Sequence, residues 1–362
     1  MSRIPIGRNA LKGRGALSNP AGRFERDTVE RVDDGWFMEE QPTSIATTLM
    51  PDRAKGIIAT NDSPDIPFEQ SINPYRGCEH GCIYCYARPS HAYMGLSSGI
   101  DFETRLFYKV DAARLLEEEL ARPKYVCKPI TLGANTDPYQ PVERQLRVTR
   151  SVLEVLGRTH HPVSIITKSA LVLRDLDLLV PLARDGLVTV GISVTTLSAD
   201  TKRILEPRAA SPQARLRAVR ELNAAGVPTG VMVAPVIPAI TDHEMEAIVE
   251  AAAGAGARWA AYVLLRLPYE IKDLFRDWLA EHFPERAAHV MALVNDMRGG
   301  RDNDPRFGAR MRGTGPIAEL LRSRFKVACQ RFRLNSGTRD MPQPTHLFVP
   351  PQRCGPQLSL GL

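Results

Sequence analysis

Asn73-Pro74-Tyr75-Arg76-Gly77-Cys78-Glu79-His80-Gly81-Cys82-Ile83-Tyr84-Cys85-Tyr86 is the stretch on which the reading of the fold and of the chemistry turns. Three thiolates gathered by a C-x3-C-x2-C loop can hold three corners of a cubane iron–sulfur cluster, whereas a cluster used only for electron transfer normally takes a fourth cysteine. The missing ligand leaves one iron open to a substrate or cofactor. The competing reading is a zinc knot in which His80 joins the three cysteines. His80 has one residue between it and Cys78 and one between it and Cys82, tighter than the usual ligand spacing of about two to four intervening residues. Cys127, Cys329 and Cys354 are far apart and form no framework. Six cysteines in 362 residues, with no apolar leader after Met1, point to a reducing cytoplasm. No apolar run approaches the roughly 18 residues of a spanning helix, so a soluble chain with no membrane partner is expected.

On both sides of the loop, strand-like runs alternate with helical ones, the pattern of parallel βα units. Residues 71–76 lead into the cysteines, and 111–121 place Ala113, Leu115, Leu116 and Leu120 on one helical face. Strand 129–134 precedes helix 144–159, and strand 163–167 precedes helix 175–185. Strand 187–194 comes next, then helix 211–225, with Ser211 as cap, Pro212 in the first turn and Gly226 as the stop. Strands 229–236 and 259–265 flank helix 242–253. Counting the strand before the cysteines, six βα units predict a partial barrel better than a closed eight-fold one.

A composition 43% hydrophobic and 24% charged supports one large α/β domain or two smaller ones. The expected organisation is a flexible basic N-terminal tail over 1–45, a core barrel over 68–270, a basic helical extension over 271–336 and a Pro/Gln-rich strap or tail over 337–362. The first 24 residues carry Arg3, Arg8, Lys12, Arg14 and Arg23 with no acid, and read either as a disordered tail or as a basic arm for a polyanion. From Arg298 to Arg333, ten basic residues face three acids, although the whole chain is only +6. Phe307, Phe325 and Phe332 interleave with those arginines, a composition suited to phosphate contact and base stacking. The alternative places Phe325, Val327 and Phe332 on a core face with solvated arginines outside.

The C-x3-C-x2-C spacing with an aromatic before the last cysteine resembles the signature of the radical S-adenosylmethionine (SAM) superfamily. Asn73 to Cys78 before it and Ala87-Arg88-Pro89-Ser90-His91 after it resemble the subgroup related to spore photoproduct lyase and DNA repair photolyase-like proteins, over Phe68 to Phe332. The resemblance implies an α/β fold, a partial (β/α)6 TIM-type barrel. It implies a [4Fe-4S] cluster on Cys78, Cys82 and Cys85 whose open iron chelates the SAM amino and carboxylate groups. The reduced cluster then cleaves SAM to methionine and a 5′-deoxyadenosyl radical that takes hydrogen from substrate, here a nucleic-acid base. An electron donor such as flavodoxin or ferredoxin is implied as well. A cluster-bearing sensing protein without radical turnover is the reading of the other class.

Working residues of parallel barrels follow the C-terminal ends of the strands. By resemblance, the segment 133–143 takes the place of the superfamily's Gly-Gly-Glu, with Thr136 and Asp137 as candidates for the SAM amino group. An Asx turn at Asp137-Pro138 is the plainer reading. By resemblance Lys168 is placed to pair with the SAM carboxylate; the alternative is an ordinary solvated charge. Ser193, closing its strand, suits ribose or carboxylate, or a turn cap. Arg208, in Glu206-Pro207-Arg208, is a candidate for the SAM carboxylate or a substrate phosphate, against an ion pair with Glu206. By the same resemblance Pro235 looks like the adenine-side edge of related proteins, and Tyr84 would flank the same ring or shield the cluster. Alignment with the lyase places Ala134 where that enzyme has a hydrogen-donating cysteine, which argues against the same radical-quenching route.

Overall fold

The computed structural model describes residues 11–25, 44–336 and 343–352. Arg3, Arg8 and Cys354, counted in the expected tails, lie outside the described residues. Ten strands are described: β1 (Thr48–Asp52), β2 (Ile58–Thr60), β3 (Gln70–Ile72), β4 (Tyr75–Arg76), β5 (Arg105–Lys109), β6 (Ile130–Leu132), β7 (Val163–Thr167), β8 (Val188–Ser193), β9 (Thr229–Val236) and β10 (Ala260–Leu264). Seven form one sheet in the order β10-β9-β8-β7-β6-β3-β2, and β1-β5-β4 form a smaller one. From β3 to β10 every neighbouring pair in the large sheet is parallel, and β2 closes the β3 edge antiparallel. The six parallel strands are those expected from the sequence, in an open sheet.

These strands are buried on both faces, which is why they read as continuous Val and Ile runs. In β8, Val188, Val190 and Ile192 on one face are all within 1% of complete burial, and Gly191 and Ser193 on the other face are buried as well. Gly191 and Gly230 are paired across β8 and β9, and a Cβ on Gly230 would lie 2.1 Å from the Trp259 ring. Glycine there lets the indole lie flat against the sheet.

Among the described residues twelve α-helices accompany the strands: α1 (Ile100–Thr104), α2 (Ala112–Leu120), α3 (Glu143–Leu146), α4 (Val148–Arg158), α5 (Leu176–Arg184), α6 (Ala199–Leu205), α7 (Pro212–Ala224), α8 (Met245–Gly254), α9 (Ile271–His282), α10 (Ala287–Asp296), α11 (Ala309–Arg312) and α12 (Gly315–Arg331). In α2 the expected face is buried through Leu115, Leu116 and Leu120. Ser211 caps α7 by accepting from the Ala214 N–H at 3.2 Å, and Gly226 ends it at φ +86°. The single helix expected over 144–159 is split at Arg147, whose φ is +51°. The buried Glu143 carboxylate accepts from the Thr149 N–H at 3.0 Å and the Arg150 N–H at 3.3 Å, so α4 starts afresh on its own acidic cap.

Residues 11–25, expected within a flexible tail, are packed: Leu11, Arg14, Ala16 and Leu17 are buried. The cause is Glu103, which is fully buried and accepts from the Gly15 and Ala16 N–H groups, each at 2.9 Å. Residues 343–352 lie across the other end of the barrel, where Gln343 donates to the carbonyls of Val163 at 2.8 Å and Leu187 at 3.1 Å. Phe348 sits 5.2 Å from the His161 ring, and the Val349 N–H donates to the Thr159 carbonyl at 2.9 Å.

Burial lowers the pKa of His161 to about 4. A histidine held neutral in the fold binds fewer protons than the unfolded chain, so its contribution is complete above the unfolded pKa and is lost as pH falls toward 4. Wild type is expected to lose roughly 2 kcal/mol relative to His161→Phe between pH 7 and pH 4, read from urea midpoints. Parallel pH profiles for the two proteins would contradict this.

Candidate functional site

The cysteine loop follows β3 and β4 and crosses the C-terminal edge of the curved sheet. Ile83 N–H donates to Leu205 O at 3.1 Å beyond β8, and the Tyr86 hydroxyl donates to the Ala134 carbonyl beyond β6. From below, Cys82, Ile83 and Tyr84 share a core with Leu274, Phe275 and Trp278 of α9. From the side, the Gln140 amide brackets the loop, accepting from Glu79 N–H at 2.8 Å and donating to Gly77 O at 3.2 Å. Gly77 has φ +78°, and a Cβ there would meet Leu106 at 2.7 Å, His91 at 2.8 Å and the Phe102 carbonyl at 2.9 Å. Both the turn and the close approach require glycine.

Arg88, wholly buried, holds the loop from its far end. It donates to Cys82 O at 2.9 Å and Gly99 O at 2.9 Å, and pairs with the equally buried Glu103. The N-terminal segment thus reaches the cysteines through one carboxylate, and buried charges of this kind are retained only when fully paired.

Cys78, Cys82 and Cys85 are free thiols, the first two buried and the third half-buried. Burial raises all three, Cys82 to about 12 with help from Glu206 and against Lys168. Burying three thiols side by side resists ionisation, and a bound cation is what reverses that cost. His80 is paired with a carboxylate, its Nδ1 lying 3.4 Å from Asp137 Oδ2. Among the described residues no three His, Cys, Asp or Glu side chains converge as ligands of one metal ion. Cys127 precedes β6 at the opposite end of the barrel, and Cys329 is buried in α12. Three neighbouring cysteines that do not converge on a single ion, with His80 held by Asp137, fit a cubane in which each thiolate would hold its own iron rather than a Cys3His zinc site.

The other sequence candidates surround this loop in different ways. Lys168, just past β7, places Nζ 5.8 Å from the Tyr84 ring and lies close enough to Cys82 and Cys85 to oppose the rise in their pKa. Tyr84 is buried, its hydroxyl pairing with Glu206 and lying 3.2 Å from Thr195 Oγ1. Thr136 is buried and donates to Tyr75 O at 2.7 Å. Asp137 accepts from the Tyr139 N–H at 2.9 Å, an Asx turn, from the Thr167 hydroxyl at 2.6 Å and from the Lys168 N–H at 2.7 Å. Burial opposes its charge, but His80 and these hydrogen bonds win and hold the carboxyl at about 2. Ser193 is buried at the end of β8, and its carbonyl accepts from Arg215 at 3.0 Å. Pro235 is half-buried near the end of β9 and follows a cis peptide bond.

Arg208 does not pair with Glu206. It reaches Glu79, inside the cysteine loop, at 2.7 Å. Glu206 is paired instead with Arg215 of α7, both being buried, and accepts from the Thr195 hydroxyl at 2.7 Å. Burial works against the Glu206 charge, but Arg215 and then Lys168 outweigh it and hold the carboxyl at about 2. Sequence reading missed Arg215 because it is one of three arginines, with Arg217 and Arg220, in the same amphipathic helix, and nothing in the sequence sets it apart. It missed Glu103 because α1 has five residues and no periodicity.

The basic segment 298–333 is divided. Arg298 is buried and donates to Leu265 O at 2.5 Å and Ala309 O at 2.8 Å, while Arg324 pairs with Glu246 at 2.7 Å. Arg310 pairs with Asp65 of the β2–β3 connection, so this segment bridges the two edges of the open sheet. Phe325 is core, 4.8 Å from Tyr262, and Phe332 is half-buried. Arg301, Arg312, Arg322, Lys326, Arg331, Arg333 and Phe307 remain exposed. No helix among the described residues is long and apolar enough to cross a membrane.

Comparison with known proteins agrees with this geometry. Residues 72–252 match the family model of the Radical SAM superfamily. An uncharacterized protein of Mycobacterium tuberculosis is 32% identical over 333 residues, covering 88% of this chain and 94% of that protein. An uncharacterized protein of Methanocaldococcus jannaschii is 29% identical over 176 residues, covering 48% of this chain and 62% of that one. Among solved structures, spore photoproduct lyase complexed with dinucleoside spore photoproduct superposes with a TM-score of 0.55 at 15% identity, covering 78% of this chain and 79% of that one. A variant of that lyase with bound AdoMet and the same dinucleoside gives 0.54 at 16% identity over the same shares. At these identities the likeness speaks for the fold.

Proposed function

The chain belongs to the radical SAM superfamily and is a radical SAM enzyme; on that premise we propose that its substrate is a nucleic-acid base, repaired or modified at the mouth of the barrel. The observation that carries the radical chemistry is the trio of free thiols, Cys78 and Cys82 buried and Cys85 half-buried, with Lys168 near Cys82 and Cys85 at the C-terminal edge of the sheet. Those three thiols are the proposed ligands of a [4Fe-4S] cluster. When bound and reduced, such a cluster supplies the electron that cleaves SAM to methionine and a 5′-deoxyadenosyl radical.

This chain's own residues have the remaining tasks. Lys168 is the proposed partner of the SAM carboxylate, since a cation beside the thiols also offsets their charge. Arg208, 38% exposed and anchored on Glu79, is a second cation for that carboxylate or for a substrate phosphate. Thr136 and Asp137 spend their side chains inward, so their proposed part is to shape the segment 133–137 and present its backbone carbonyls to the SAM ammonium. Ser193 and Pro235 line the nucleoside edge, and Tyr84, locked by Glu206, screens the cluster from water.

The nucleic-acid substrate is supported by the fold shared with a lyase solved with a dinucleoside photoproduct and by Arg301 and Arg312, exposed on the segment that Arg298 ties to the Leu264 and Leu265 carbonyls at the C-terminal end of β10. Ala134 in place of a thiol argues that a product radical is quenched by another route. The test is binding of single- and double-stranded oligonucleotides across a salt series. Affinity should fall steeply, by roughly tenfold or more between 50 and 200 mM salt. Binding that is absent or indifferent to salt would remove the nucleic-acid reading. Deuterium passing from a labelled oligonucleotide into released 5′-deoxyadenosine would identify the reacting strand.

A further inference from the structure

Arg266, half-buried, is built unlike the arginines that are paired inside the fold. Arg88 and Arg215 face buried carboxylates, Arg310 faces Asp65, and Arg298 is saturated by carbonyls. Arg266 lies two residues past the C-terminal end of β10, where a register shift between Tyr262 and Leu264 re-aims the chain. Its Nη1 makes only a long contact, 3.6 Å, to the Met311 sulfur. Its Nε is buried and has no hydrogen-bond acceptor. Burial lowers its pKa and the nearby Arg310 adds to the lowering, against Tyr86 and the Asp65 carboxylate that Arg310 already holds. A buried charged donor without an acceptor is costly, and such a group in a native site calls for a partner not yet in place.

The position says where that partner sits. The Arg266 guanidinium lies 5.3 Å from the centre of the Tyr86 ring, and Tyr86 directly follows Cys85. Tyr86 in turn reaches the loop after β6. An acceptor for Arg266 therefore arrives at the barrel mouth, beside the cysteine loop.

The surroundings say what the partner is. A guanidinium edge matches the two oxygens of a phosphate or carboxylate. Arg301 and Arg312 are exposed on the adjoining segment, which favours an anion that continues beyond one group. Tyr269, 66% exposed, follows Arg266 in the chain, and Phe307, 58% exposed, lies on the segment that carries Met311; each ring already carries one guanidinium, from Arg23 at 4.3 Å and Arg310 at 4.7 Å, and leaves the rest of its surface to solvent. Anionic oxygens alternating with flat rings describe a single-stranded polynucleotide better than an acidic protein surface, which brings carboxylates without stacking partners.

We infer that Arg266 is the phosphate-anchoring residue of the substrate site, its free guanidinium edge receiving a phosphodiester oxygen while a neighbouring base rests on Tyr269 or Phe307. This rests on the nucleic-acid reading above and assigns the contact that sets the substrate strand against the cysteine loop. Tyr269 holds φ at +53°, a left-handed backbone for a bulky residue, as expected where a side chain is aimed for use.

The experiment compares two labelled single-stranded tetranucleotides, one with ordinary phosphodiesters and one with neutral methylphosphonate linkages, by fluorescence anisotropy. Wild type, Arg266→Gln and Arg266→Lys are loaded with cluster and matched for iron content and circular dichroism. Arg266→Gln should weaken phosphodiester binding by about 10- to 100-fold and lower the salt slope by about one, with little change for the methylphosphonate probe. Arg266→Lys should recover part of the loss, because it restores charge without the fork. If Arg266→Gln equals wild type on the phosphodiester probe, or weakens both probes alike, the assignment of Arg266 is wrong and the nucleic-acid reading stands. If wild type itself binds neither probe, that reading falls and takes this inference with it.

Discussion

Replacing Glu206 by glutamine is expected to destabilise the protein by about 3–5 kcal/mol, the cost of leaving a buried charge without its partner. Glu206 and Arg215 are 0% and 1% exposed and face each other directly. The same carboxylate receives the Tyr84 and Thr195 hydroxyls, so its loss also frees the residue between two cysteines. A fall in the urea midpoint reports the first effect, and reduced iron content after reconstitution reports the second. Glu206→Gln combined with Arg215→Met should regain part of the stability, since removing both charges ends the mismatch. A change within about 0.5 kcal/mol, as for an ordinary surface substitution, would show that the pair does not hold this part of the loop.

The second large effect concerns the thiols. Alanine at Cys78, at Cys82 or at Cys85 is expected to reduce bound iron and acid-labile sulfide to background, because two thiolates cannot retain a cubane that three hold. Alanine at Cys127 or Cys329 should leave the wild-type content, since one lies at the opposite end of the barrel and the other inside α12. Iron retained by Cys82→Ala, or lost equally from Cys127→Ala, would place the cluster elsewhere.

The barrel was legible because its signals are local and repeated. β7 and β9 have the bounds read from their apolar runs, and α7 starts and stops at Ser211 and Gly226. The C-x3-C-x2-C spacing announced the cradle because three ligands sit within eight residues. What escaped depends on contacts far apart in the chain. Arg14 is spent on Glu103 O and Ile45 O, 89 and 31 residues away, so its positive charge reads as tail while it works as a clamp. The helix read over 144–159 is divided by Glu143, whose partners Tyr75 and Arg174 come from elsewhere in the chain. Glu206-Pro207-Arg208 suggested its own pair by proximity, yet the geometry sends one member to α7 and the other to Glu79. Basic residues from 298 to 333 looked alike in the sequence, and only folding separated Arg298 and Arg324, which hold the structure, from those left on the surface.

The most direct test of the three-cysteine cradle as a radical-generating site is anaerobic reconstitution with iron and sulfide, reduction, and addition of SAM. The account predicts 5′-deoxyadenosine and methionine in step with cluster content, and neither from the variant carrying alanine at Cys78, Cys82 and Cys85. Release no greater than from that triple variant, or purified protein that holds zinc in place of a cluster, would contradict it.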